Sequence, residues 1–315
     1  MDKSVNDLFW KIVNCPWNGS CDDCSGVLSE QDGLSCRQVP EPWSGDLETA
    51  SYLVLGGNPA IDSDEYRKAK GKRKKGFTEV FPSRKQDGSS WMPVFTNGNC
   101  WTVDDVYSFF RGRFNEAECP YCKKRYTTLD VDKHICNILS VDERGGWSYA
   151  PAKNSYWIFY YEYCKNINKN LNGGMVCSLE LGRDIVVTDV VHCKGSAERG
   201  VVNAMGRCKE YTTDILRFFI QNKASSHTVL LFGAGYGYIR QLLSELLDVK
   251  KTENVGSYEY CRMGRCKEMQ ILMDECLDKG SEKSVRVYYN IPKPSGSNRA
   301  CQNIKLYGEV NLRRR

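Results

Sequence analysis

The run SHTVLLFGAGYGYIRQLLSELL, residues 226–247, decides the fold class. Its first third is a short, unbroken apolar stretch rich in Val and Leu. Its second half repeats apolar residues at helical spacing, with Ile239, Leu242, Leu243 and Leu246 on one face. Between the two stand Gly233, Gly235 and Gly237. Strand, glycine turn and helix together make the building unit of an open α/β sheet, and a strand apolar throughout is one covered on both faces. The glycines fit neither GxxxxGK[ST] nor G-x-G-x-x-G, so the turn reads as a helix start and no nucleotide cofactor is expected.

Working outward, runs of the same kind occur at 51–55, 184–190 and 284–289. Helical periodicity appears at 5–13, 103–111, 156–166, 208–221, 237–247 and 267–278. The expectation is a single α/β domain over 1–315: a three-layer sandwich with a central, mostly parallel four-stranded sheet flanked by helices, plus a small metal-binding insertion. Some 130 residues separate the first strand from the second, and composition changes most there. Residues 61–180 are read as an insertion region, because the later strands need the first as a partner.

A chain of 315 residues with 41% hydrophobic residues and a formal charge of +5 buries a core without staples, which excludes disordered, fibrous and small disulfide-framework classes. No apolar run approaches the ~20 residues a membrane helix needs. Asp2, Lys3, Asp7 and Lys11 interrupt the N-terminal stretch, so it does not read as a signal peptide. The expected state is a monomer in the reducing cytoplasm with no membrane partner.

In that compartment thiols stay reduced, so 16 cysteines point to metal rather than to bridges. The 3 histidines are His134, His192 and His227, which leaves few candidates for histidine chemistry. Cys119-x2-Cys122-x11-His134-x-Cys136 supplies four N/S ligands at the spacing of a closed, tetrahedral zinc knuckle, the alternative being four unrelated buried residues. At the N-terminus, Cys15, Cys21, Cys24 and Cys36 would serve a second zinc. Cys21-x2-Cys24 joined by the distant Cys193 and Cys208 would equally enclose an iron–sulfur cluster, and spacing does not choose between them.

Seven of the nine positions from Arg67 to Lys75 are cationic, including Lys72, Arg73, Lys74 and Lys75. Such runs are commonly just solvated. Here the run, continuing to Arg84 and Lys85, suits an arm (67–85) that tracks phosphates. Phe77, Phe81, Trp91 and Phe95 lie close by in sequence, Phe95 being the first candidate to stack on a base and Trp91 the second, while core packing is the ordinary role of any one of them.

Four segments, in order, resemble the uracil-DNA glycosylase superfamily, closest to its iron–sulfur-containing, family 4-like branch. Leu55-Gly56-Gly57-Asn58-Pro59-Ala60 is similar to the G-x-[ND]-P loop that carries the water-activating residue. The stretch IVVTDVVHC, 185–193, resembles that branch's I-T-N-V-V-K-C strand, and VLLFGA, 229–234, its V-x-L-L-G-A strand end. IPKPSGSNR, 291–299, resembles the H-P-S-G-x-N-R loop. All four fall at the carboxyl ends of expected strands, where open α/β sheets place their sites. The likeness covers most of the chain outside 61–180.

The resemblance implies a DNA glycosylase that flips a base from the stack and hydrolyses its N-glycosidic bond. It implies that Asn58 positions water, and that Gly57 and Pro59 let backbone amides approach the base. Ser295, Gly296, Asn298 and Arg299 would grip phosphates. Lys293 stands where the branch has a histidine donating to the departing base, and a phosphate contact is the equal alternative. It also implies a 4Fe-4S cluster on Cys21, Cys24, Cys193 and Cys208, tying the N-terminal segment to the loop after the second strand; Cys15 and Cys36 are then left over.

One departure bears on substrate. Uracil-specific relatives have asparagine where this chain has Asp189, and a carboxylate only accepts hydrogen bonds, so it repels uracil O4 and favours an exocyclic amine such as cytosine N4. The expected target is therefore a cytosine-type base. An enzyme removing ordinary cytosine would destroy its host's DNA, which points to hypermodified phage DNA and a defence role. The alternatives are a uracil repair enzyme, a non-catalytic DNA-binding module on the same fold, or Asp189 bonding backbone amides beneath the pocket.

Overall fold

The computed structural model describes residues 4–15, 22–29, 31, 36–57, 155–172, 179–180, 182–195, 200–232, 236–262 and 265–291, with short pieces at 83–85, 93–94, 106–107, 110–111, 117–118, 125–126, 139–141, 147–149 and 302–306. The fold is mixed α/β. Its main strands are β1 (Tyr52–Gly56), β2 (Ile185–Asp189), β3 (His227–Phe232), β4 (Leu247–Arg262), β5 (Arg265–Asp278), β6 (Ser284–Ile291) and β7 (Gln302–Leu306). They lie in the order β7-β4-β5-β6-β3-β1-β2. The helices are α1 (Val5–Val13), α2 (Asp22–Leu28), α3 (Ser155–Leu171), α4 (Val201–Gln221) and α5 (Tyr236–Leu246).

The four strands expected from sequence are neighbours, β6-β3-β1-β2, and β3 pairs parallel with both β1 and β6. All residues of β1 and β3 are buried, which is why their apolar runs do not alternate. Among the described residues the sheet nevertheless has seven strands, not four. The added part is antiparallel: β5 pairs with β6 and β4, and β4 with β7.

One expected helix, 267–278, is instead the strand β5. Met269, Leu272, Met273 and Cys276 satisfy helical spacing, but Met269, Ile271 and Met273 also alternate, and of these residues Ile271 is the most buried while Leu272 is only half-buried. Fourteen paired positions along β4 settle the ambiguity, as tertiary pairing overrides a short periodic signal.

The chain divides into two compact units. One comprises residues 1–44, 56–113 and 187–218, the other 45–55, 114–186 and 219–315. In the second, Tyr160 and Tyr163 of α3 pack on Phe232 of β3, with ring centroids 4.8 and 5.9 Å apart. Asn222, just past α4, is a polar hub there. Its Nδ2 donates to Leu47 O and Ala50 O at 3.0 and 2.8 Å, and its Oδ1 accepts from Ala224 N and His227 Nε2. In the first unit Phe9 gathers Trp10, Trp43, Tyr107 and Phe110 edge-on at 5.0–5.8 Å.

Candidate functional site

Both candidate sites are built within the first unit. At the ends of β1 and β2, Val190 N donates to Gly56 O and Val191 N to Gly57 O, each at 3.0 Å. The half-buried Asp189 lays its carboxylate where Gly56 has no side chain: a Cβ at Gly56 would overlap Asp189 Oδ1, with Cγ at 3.3 Å. Residues 41–44 run beside this end of β2. Ser44 and Val187 exchange backbone bonds of 2.8 and 3.0 Å, and Thr188 Oγ1 donates to Pro42 O at 2.5 Å. Gly57 is thereby tied to the strand end that carries Asp189, the expected base-reading carboxylate.

The second site lies just beyond. Cys15 ends the turn after α1, its amide donating to Ile12 O at 2.9 Å, and α1 itself begins at a Ser4–Asp7 capping box. Cys24 lies on the buried face of α2 beside Val27 and Leu28. Cys193 follows β2, and Cys208 sits in α4. All four thiols are buried, none is in a disulfide, and each is at most 7% exposed. Cys193 and Cys24 share a hydrogen bond, and this bond, burial and the neighbouring sulfurs of Cys208 and Cys15 hold the Cys193 pKa well above its ordinary value. Tyr211 Oη, three residues after Cys208, donates to Cys15 Sγ at 3.7 Å. Burial, then Cys15, pushes the Tyr211 phenol up as well.

The elements holding these thiols are stapled together. Lys11 of α1 meets Glu210 of α4 at 2.5 Å, and Arg207 of α4 meets Asp23 of α2 at 2.7 Å. Gly200, with φ +73°, starts α4 directly on the α2 backbone, where a Cβ would stand 2.8 Å from Gly26 Cα. Thr212 Oγ1 donates to Val190 O at 3.1 Å. Gln31, fully buried, donates to Lys194 O and accepts from Gln38 N. Lys194, 2% exposed, faces Glu41 at 3.3 Å.

His192 donates from Nδ1 to Glu41 O at 2.8 Å, which leaves Nε2 as a lone-pair acceptor, and that buried atom has no partner. Burial pushes the His192 pKa down to about 4, so the ring is neutral.

The structure thus brings Gly57 to Asp189, and Cys24, Cys193 and Cys208 to one another. The fourth thiol beside them is Cys15, which the resemblance left over; its signal was its place directly after an amphipathic helix that packs on α4. The buried Gln31 and Lys194 and the half-buried Glu41 had no signal in sequence. Among the described residues no three His, Cys, Asp or Glu side chains close on one point as around a single bound ion. Asn58, Pro59, Phe95, Lys293, Ser295, Gly296, Asn298 and Arg299 lie outside the described residues, as do Lys72, Arg73, Lys74 and Lys75, the zinc ligands Cys119, Cys122, His134 and Cys136, and Cys21.

The chain matches no protein-family model, no curated protein and no solved structure. Among the described residues no helix is long and apolar enough to cross a membrane.

Proposed function

We propose that the protein is a DNA glycosylase of the uracil-DNA glycosylase type, acting in the cytoplasm on a modified, cytosine-type base such as that of hypermodified phage DNA. The observation that carries this reading is the seating of the Asp189 carboxylate on Gly56, directly before Gly57-Asn58-Pro59 in sequence. Cleaving a base from deoxyribose builds positive charge on the sugar and negative charge on the base, so a site needs a held water, a base-reading group and a donor for the leaving base. In sequence order Asn58 holds the water, Asp189 accepts from an exocyclic amine, and Lys293 supplies the cation. Ser295, Gly296, Asn298 and Arg299 hold the flanking phosphates, with Lys72–Lys75 extending the grip on DNA. Phe95 stacks on the flipped base.

Two metal centres fit this reading. Cys119, Cys122, His134 and Cys136 supply a zinc donor set. At the N-terminal site the chemistry of the donors is four buried thiols, Cys15, Cys24, Cys193 and Cys208, a set that suits an iron–sulfur group. Such a group would add cross-links between α1, α2, the end of β2 and α4, and no chemistry on the substrate.

The test is an abasic-site assay on duplex and single-stranded DNA containing uracil, cytosine, hydroxymethylcytosine or its glucosylated form. Strand breaks after alkali on a modified-cytosine substrate are expected. DNA retention with no base release from any of them would favour the binding module, and preferential release of uracil would favour the repair enzyme. Asp189→Asn should move preference towards uracil; an unchanged preference would show that Asp189 only supports the loop.

A further inference from the structure

We infer that the fourth ligand of the N-terminal iron–sulfur centre is Cys15, not Cys21, and that Tyr211 is its positioning residue, donating a hydrogen bond to the ligating sulfur. This rests on the iron–sulfur part of the proposed function. Two independent observations meet here. Cys15 is buried and lies within the electrostatic reach of Cys193, together with Cys24 and Cys208. And the nearby hydroxyl already addresses this sulfur: Tyr211 Oη stands 3.7 Å from Cys15 Sγ.

The helix frame fixes the pairing. Cys208 and Tyr211 are three residues apart in α4 and so share a face. The Lys11–Glu210 pair ties the last turn of α1 to the same stretch of α4, and Lys11 also lies 5.4 Å over the Tyr211 ring. Cys15, one residue past the α1 cap at Asn14, is thus delivered to Cys208 by a docked helix. Uptake of the preformed cluster is a ligand exchange without redox: four Fe–S bonds to the thiolates of the cluster donor break as four form to this chain, and the protons its four thiols lose pass to solvent and to the released thiolates.

The phenol donates to a thiolate more strongly than to a thiol, since the acceptor is then charged. Hydrogen bonds to ligand sulfurs stabilise the reduced cluster and raise its potential. Removing the Tyr211 hydroxyl should therefore lower the potential while leaving iron in place.

The experiment uses the full chain, purified anaerobically, as wild type, Cys15→Ser, Cys21→Ser and Tyr211→Phe. Iron and acid-labile sulfide are measured per chain, with the EPR spectrum after dithionite reduction. Far-UV circular dichroism reports folding. Expected are about four irons per chain in wild type and Cys21→Ser. Cys15→Ser should lose most of that iron or show an altered EPR signal, and Tyr211→Phe should keep its iron at a lower potential. Loss of iron from Cys21→Ser, with or without loss from Cys15→Ser, overturns the assignment. So does Cys15→Ser with wild-type iron and spectrum. If Cys15→Ser does not fold, Tyr211→Phe decides, and an unchanged potential overturns it. Wild type with zinc in place of iron also overturns it. None of these readouts depends on base release, so the glycosylase reading stands or falls separately.

Discussion

Replacing Gly56 by alanine tests the contact on which the proposed base reading depends. The new methyl would overlap Asp189 Oδ1, while the next obstacles, Asp189 Cγ and Thr188 O, are at 3.3 and 3.9 Å. The conflict is therefore with one carboxylate and not with the backbone. The strand ends cannot part to relieve it, because Val190 N and Val191 N bind Gly56 O and Gly57 O at 3.0 Å, so the carboxylate itself must turn aside. Overpacking of this kind costs about 1–3 kcal/mol. Asp189→Ala removes the obstructing oxygen, so Gly56→Ala in that background should cost less than about 0.5 kcal/mol, a coupling of at least about 1 kcal/mol. The assay is a double-mutant cycle of urea unfolding midpoints at constant slope. A displacement on the order of 1 Å at a base-reading group should also slow single-turnover base release by about 100-fold. Additive stabilities, with Gly56→Ala equally costly in both backgrounds, would refute the described placement of Asp189.

Other expectations rest on separate parts of the molecule. His227 is 2% exposed and donates from Nε2 to Asn222 Oδ1 at 3.0 Å; burial, then Lys283, pushes its pKa down to about 4 from 6.5, against the pull of Asp278. The unfolded chain therefore takes up this proton first, and the stability present above pH 6.5 is lost as pH falls towards 4. The loss is at most about 3 kcal/mol, and about 2 kcal/mol with solvent screening. His227→Gln should flatten the pH dependence of unfolding over that window, and an identical slope in the variant would contradict it. Asp274, 2% exposed, accepts from Thr252 Oγ1 at 2.6 Å, Tyr289 Oη at 3.1 Å and Arg240 at 3.2 Å. Asp274→Ala should cost about 2–3 kcal/mol, less than a fully buried pair because Arg240 is half exposed; a loss under about 0.5 kcal/mol would be inconsistent with that network. Replacing Lys72, Arg73, Lys74 and Lys75 together by alanine should reduce the slope of log affinity for DNA against log salt by about 3–4 if each meets a phosphate. An unchanged slope would make the run a solvated surface.

The parallel core was legible because buried strands leave an unbroken apolar signature: 51–55 and 228–232 come within a residue of β1 and β3. Helix α1 was legible to its last residue, since Ser4 and Asp7 mark its start and the apolar positions Leu8, Phe9, Ile12 and Val13 mark its face. The antiparallel half was not. Residues 247–262 mix Lys, Glu and Asn with Val and Tyr, because a strand nearer the edge has exposed positions to fill, and the paired 267–278 satisfies two periods at once. The grouping of Cys24 with Cys193 and Cys208 was one of the two arrangements that residue type and spacing allowed. The nearness of Cys15 to Cys193 and Cys208 was in neither, because it depends on helix docking through Lys11 and Glu210 and not on any interval along the chain. The buried Lys194–Glu41 pair was equally silent, since a lone lysine after a strand reads as surface.

The account stands on hydrolytic release of an intact base, and mass spectrometry of the small-molecule fraction after incubation with glucosylated hydroxymethylcytosine DNA reads that product directly. The modified cytosine should appear as the free base, in step with abasic sites in the DNA, from the wild type and not from Asn58→Ala. Its absence at enzyme excess, its appearance as a nucleoside or nucleotide, or equal release by Asn58→Ala would contradict the account.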